Sequence, residues 1–94
     1  GQEFDAIISG LTKSGIFVTL NEIPVEGMIP LRNITDDFYV FREEDFMITG
    51  RQNRRKFILG DKIRVRLTAS DIDTMRIDFE PAELSKKQRK RKKR

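Results

Sequence analysis

The sequence contains no cysteine, no histidine and no tryptophan. Without cysteine there can be no disulfide and no thiolate metal site, and the composition fits a reducing compartment. Without histidine the commonest metal ligand and the commonest general base are both missing, so the usual nucleophile–base pair cannot be assembled. The remaining catalytic candidates are carboxylates: Asp36/Asp37, Glu43/Glu44/Asp45 and Asp71/Asp73. Adjacent acids of this kind sit at helix starts or on solvated loops, and Asp in a turn between strands serves its own backbone hydrogen bonding. Asp71 and Asp73 could approach a Mg²⁺ ion, but a metal-dependent nuclease needs several convergent carboxylates in a cleft. No apolar run nears the ~18 residues of a membrane span, and no basic-then-apolar secretory signal opens the chain. A cytoplasmic monomer that does not touch membranes is the expectation. The start at Gly1-Gln2-Glu3, without methionine, points to a piece of something longer.

Acids are missing from one stretch. Residues 86–94 read KKQRKRKKR, eight Lys/Arg and no acid, whereas residues 1–85 hold 11 Lys/Arg against 15 Asp/Glu. The net charge of +4 therefore belongs to the tail. From Leu84 onward the composition cannot build a core, which predicts a folded domain over 1–83 and a disordered basic tail over 84–94. Lys86, Lys87, Arg89, Lys90, Arg91, Lys92, Lys93 and Arg94 will hold any polyanion at low salt. If about five of them meet phosphates, the slope of log K against log salt steepens by roughly 3.5 on a single strand. A solubility tail and, in a eukaryote, a nuclear-localisation signal compete with adhesion to RNA or a ribosome, the preferred reading.

The body reads as short strands. Phe4 to Leu11 forms the first, and a Lys13-Ser14-Gly15 turn leads into the second, Gly15 to Leu20. There Ile16, Val18 and Leu20 point one way and Phe17 and Thr19 the other. Asn21-Glu22-Ile23-Pro24 is a loop. Glu26 to Leu31 is the third strand, expected to send Met28 and Leu31 inward, with Pro30 marking an edge or bulge. Asn33 or Thr35 can cap a short helical turn with Asp36 and Asp37 at its positive end. The aromatics Phe38, Tyr39 and Phe41 would plug one end of a barrel. Phe46–Thr49 and Lys56–Leu59 flank GRQNRR, a hairpin with a basic tip. Ile63, Val65 and Leu67 alternate with Lys62, Arg64, Arg66 and Thr68, which favours the wet face of the fourth strand for Arg64 and Arg66 over a place in the binding groove. After an Asp71–Met75 turn, Ile77 and Phe79 mark the last strand, which Pro81 ends. Five strands with a helical turn and a hairpin insert between the third and fourth predict an all-β, antiparallel OB-fold barrel, with a small sandwich as the competing architecture.

Such a barrel offers its second and third strands as a groove for single strands. Phe17 supplies a π-face on the outer side, unless it packs under a loop. Lys13 and Arg32 either reach phosphates or are simply solvated surface, and Arg76 enters from the last strand. A barrel that docks on a protein or a ribosome and scarcely touches RNA is the alternative, motivated by the acidic body and the 51–56 loop.

The stretches GQEFDAIISG, SGIFV and VEGMIPL resemble the S1-type RNA-binding repeat. ITDDFY, the Phe46–Leu59 hairpin, LGDKIRV and RIDF look like the carboxy-terminal repeat of the bacterial ribonuclease R family, in which a basic tail is also typical. The resemblance covers Gly1 to about Glu83. It implies a parent that is a processive, Mg²⁺-dependent 3′→5′ exoribonuclease with its catalytic carboxylates in another domain, and a barrel that holds single-stranded RNA near the channel entrance. It places Phe17 on the repeat's RNA face and Asp71 and Arg76 among the polar residues lining the same site. Ser14 stands where the family usually has an aromatic or glycine, and Pro30 where it usually has histidine. Both departures remove base contacts, so the resemblance implies weaker binding by the body, with the tail supplying much of the affinity.

Overall fold

The computed structural model describes residues 1–71 and 73–83. The basic tail expected to be disordered lies outside the described residues. Among the described residues the chain forms eight strands: β1 (Glu3–Leu11), β2 (Gly15–Leu20), β3 (Glu26–Pro30), β4 (Tyr39–Arg42), β5 (Met47–Gly50), β6 (Lys56–Phe57), β7 (Lys62–Asp71) and β8 (Arg76–Pro81). Five of them close a barrel in the order β1-β2-β3-β8-β7, and β4-β5-β6 form a separate three-stranded sheet. The barrel is antiparallel apart from the β3–β8 junction, which is parallel at Met28↔Asp78.

Closing so small a sheet requires sharp bending, and register shifts between Ile8 and Gly10 and between Leu67 and Ala69 mark where it occurs. The β1–β2 turn is tied by Thr12, whose hydroxyl oxygen accepts the Ser14 and Gly15 amides at 3.1 Å each. Ala6, Ile8, Ile16, Val18, Ile29, Val65 and Phe79 fill the interior, continuous with Ile34, Tyr39, Ile48 and Phe57 beneath the second sheet. Phe79 meets Phe4 edge-on, with ring centroids 6.3 Å apart.

Five details depart from the sequence reading. In β3 the inward residues are Gly27 and Ile29, while Met28 is half-buried on the outer face. Leu31 packs against the core from its margin. The phase is inverted because a side chain at 27 would overlap the Phe79 ring, so the core claims a position that carries no apolar side chain. The helical turn is a single 3₁₀ turn, Leu31–Asn33, preceded by Pro30 and without a side-chain cap. Of the three aromatics expected to plug the barrel, Tyr39 is buried and Phe41 packs against the core, but Phe38 is 65% exposed. Tyr39–Arg42 is also a strand, so the hairpin insert is a three-stranded sheet.

Asp36 and Asp37 are not at a helix start. They fasten the 51–54 loop instead. Asp37 Oδ2 accepts the Gln52 and Asn53 amides at 2.9 and 2.8 Å, and Oδ1 accepts the Phe38 amide at 2.6 Å. The Asn53 amide leads these in holding the Asp37 carboxyl below the ordinary carboxylate range. The Tyr39 hydroxyl donates to Asp36 at 3.0 Å and accepts from the Asn53 side chain at 2.9 Å. Its burial pushes the Tyr39 phenol pKa up.

Candidate nucleic-acid interface

The phase of β2 decides where its aromatic goes. Ile16 and Val18 are fully buried, and Phe17, between them, is half-buried on the outside. The bulge in β1 pairs Gly10 with Phe17, and β3 sets Met28 opposite it on the other side. The ring lies against Gly10: a Cβ at residue 10 would come within 3.3 Å of Phe17 Cδ2. Phe17 is therefore seated on backbone and not sealed under a loop.

Beside it is an open hollow of about 350 Å³ lined by Phe17, Gly27, Met28, Met75, Arg76, Ile77 and one acid, Glu26, which accepts from the Ser9 hydroxyl at 3.2 Å. Met75 stands at the β7–β8 turn with φ of +58° and is 85% exposed. Arg76 is shared with a second hollow of about 750 Å³, where it joins Arg32, Ser70, Asp71, Asp73 and Asp78. Arg76 Nε donates to Asp78 Oδ1 at 3.0 Å, which fixes the guanidinium while using one of its five N–H donors. Arg32 lines this hollow from the 3₁₀ turn and carries it on to Asn33 and Thr35. Asp71 Oδ1 accepts the Asp73 and Thr74 amides at 3.0 and 3.4 Å, bracing the turn that presents Met75 and Arg76.

Of the five body residues singled out in the sequence, Arg76 thus joins Phe17 on one side to Arg32 and Asp71 on the other. Lys13 is exposed in the β1–β2 turn and lines neither hollow. Met28 and Met75 were missed. Pairing of Met28 with Phe17 was readable once Ile29 was taken as the inward residue. Nothing in the sequence marked Met75, whose exposure comes from its backbone conformation.

The arrangement offers an aromatic face and two polarisable thioethers beside one guanidinium, which suits a flat heterocycle. The neighbouring hollow holds two arginines and three aspartates. That balance does not attract phosphates strongly, but its carboxylates can accept from ribose hydroxyls and base amino groups. Among the described residues no group of three or more Asp or Glu is placed to hold a metal ion, the three aspartates of this hollow included. The site does not fit a catalytic Mg²⁺. Arg64 and Arg66 lie away from these hollows; Arg64 is exposed as the alternation implied, whereas the Arg66 side chain is only 13% exposed, covered between Glu3 and Glu80. Arg64 meets Asp5 at 2.9 Å, the bond that leads in raising its pKa, and Arg66 meets Glu3 at 2.8 Å.

Residues 1–80 match the family model described as "S1 RNA binding domain". Ribonuclease R of Aquifex aeolicus is 41% identical over 80 residues, which are 85% of this chain and 11% of that protein. Ribonuclease R of Ureaplasma parvum is 36% identical over 80 residues, again 85% of this chain and 11% of that protein. The chain thus spans about a tenth of the length of the curated relatives it matches. Among solved structures, Mycoplasma genitalium RNase R superposes with a TM-score of 0.80 at 30% identity. The match covers 86% of this chain and 13% of that one, both in the apo form and in complex with ribose methylated single-stranded RNA.

Proposed function

This chain belongs to the S1 RNA-binding domain family, and from that membership we propose that the outer face of β2 and β3, with Arg76, is where it holds single-stranded RNA. The observation that carries the reading is the seat of Phe17: an aromatic ring resting on Gly10, flanked by Met28 and open to an arginine. Bases splayed from a single strand can stack there, with sugar contacts at the Arg32–Asp71–Arg76 hollow. We further propose that the longer protein is a hydrolytic 3′→5′ exoribonuclease of the ribonuclease R kind. In that protein Mg²⁺ and its carboxylate ligands belong to another domain, and this barrel feeds RNA toward them. The basic residues 86–94 add affinity that does not depend on sequence.

The test is a direct titration of one labelled oligoribonucleotide, single-stranded and then annealed to its complement, at the same salt concentration. A stacking site needs unpaired bases, so the single strand should bind markedly tighter. Equal affinity for the duplex would leave charge as the whole of the interaction and remove the role assigned to Phe17.

A further inference from the structure

The hollows beside Phe17 are poor in net positive charge, which raises the question of what holds the phosphates of a bound strand. Of the 11 Lys/Arg in residues 1–85, four lie between Arg51 and Lys56 with no acid among them. The β4-β5-β6 sheet carries most of these to one place. Arg42, Arg51, Arg54 and Lys56 line an open hollow of about 600 Å³ that also includes Thr49. Its one acid, Asp45, is engaged by Arg42 at 3.7 Å. Arg55 is turned away, paired with Glu83 at 3.7 Å and lying over the Phe57 ring at 5.3 Å.

The loop is held in shape. Asp37 accepts two of its backbone amides and Asn53 is bonded to Asp36 and Tyr39, so these acids are spent on the loop's own backbone and side chains. Arg54 sits at φ of +62°, a conformation that this bracing maintains. Arg51 lies 5.8 Å from the centroid of the exposed Phe38 ring, so a second aromatic borders the basic face.

We propose that this face of the insert is a second RNA-binding surface, one that takes the sugar–phosphate backbone through Arg42, Arg51, Arg54 and Lys56. The chemistry favours RNA over an acidic protein. Four cations around a hollow whose one acid is already engaged match a chain of repeating charges, whereas a protein partner needs a large apolar anchor at its centre, and the apolar side chains lining this hollow are Val40 and Met47, with no aromatic ring. The inference rests on the reading of the chain as an RNA-binding domain, and the two are separable by experiment.

The double variant Arg51→Ala/Arg54→Ala and the single variant Phe17→Ala should each be made in the full chain and titrated with a labelled oligo(A) from 50 to 200 mM salt. Loss of two phosphate contacts should reduce the slope of log K against log salt by about 1.4. Over that range the wild type would then lose about 7-fold more affinity than the double variant. Phe17→Ala should weaken binding without changing the slope. A double variant whose slope equals that of the wild type, with its fold confirmed by circular dichroism, overturns the proposal and leaves the face to a protein partner. That result does so whether or not Phe17→Ala has weakened binding. Failure of Phe17→Ala to weaken binding would instead count against the β2–β3 face.

Discussion

Replacing Phe17 by leucine separates the two things its ring does. The ring packs on Gly10 and against Met28, and it presents a π-face to the hollow shared with Arg76. Burying a whole Phe side chain is worth about 1.5–3 kcal/mol, and this one is half-buried, so Phe17→Ala should cost about 1 kcal/mol of stability. Leucine restores most of that apolar cover but has no face on which a base can stack. The stacking interaction itself is worth ~1–3 kcal/mol, about 5- to 150-fold in affinity. Both variants should therefore bind a single-stranded oligo(A) more weakly by a factor in that range, while the leucine variant melts close to the wild type. The assay is fluorescence anisotropy at one fixed salt concentration, with thermal unfolding alongside. If Phe17→Leu bound like the wild type, the ring would be cover for a glycine and the stacking argument would fail.

Three further outcomes follow from the same geometry. Gly27→Ala should destabilise the barrel by about 1–3 kcal/mol, as overpacking does, because the new methyl meets the buried Phe79 ring and comes within 2.9 Å of the Ile77 carbonyl; an unchanged urea midpoint would contradict this. Asp37 has its carboxyl pKa lowered, chiefly by the Asn53 amide. Its contribution is therefore in place above the unfolded-state value and lost as pH falls through the lower folded one, below about pH 4. The Gln52 and Asn53 amide shifts should titrate together in that window, and their indifference to acid would break the assignment. Truncation after Ser85 should flatten the salt slope by roughly 3.5 if about five tail charges meet phosphates; a slope unaltered by truncation would make the tail a bystander.

How far the fold could be read in advance depended on which residues carried a side-chain signal. Ile16/Val18/Leu20 and Ile63/Val65/Leu67 alternate over enough positions to settle both strand and phase, and the barrel follows from them. β3 failed at its phase because its key inward residue is Gly27, which contributes space for Phe79 instead of apolar surface. β4 was read as loose aromatics because four residues give only two periods, and its pairing with β5 is a tertiary fact. The role of Asp36 and Asp37 was out of reach for a similar reason. Adjacent acids look alike at a helix start or a loop, and their partners Gln52 and Asn53 lie some fifteen residues away. Within the site, Phe17 was legible because a phase argument exposes it. Met75 was not, because its position comes from a positive φ in a turn.

The most direct measurement is the amide chemical-shift footprint of a short poly(A) strand on the isotopically labelled chain. The largest changes should fall at Phe17, Met28, Arg32 and Arg76, tracing one path from the β2–β3 face across the end of β8. A saturated complex in which those four amides stay where they were would contradict the account at its centre.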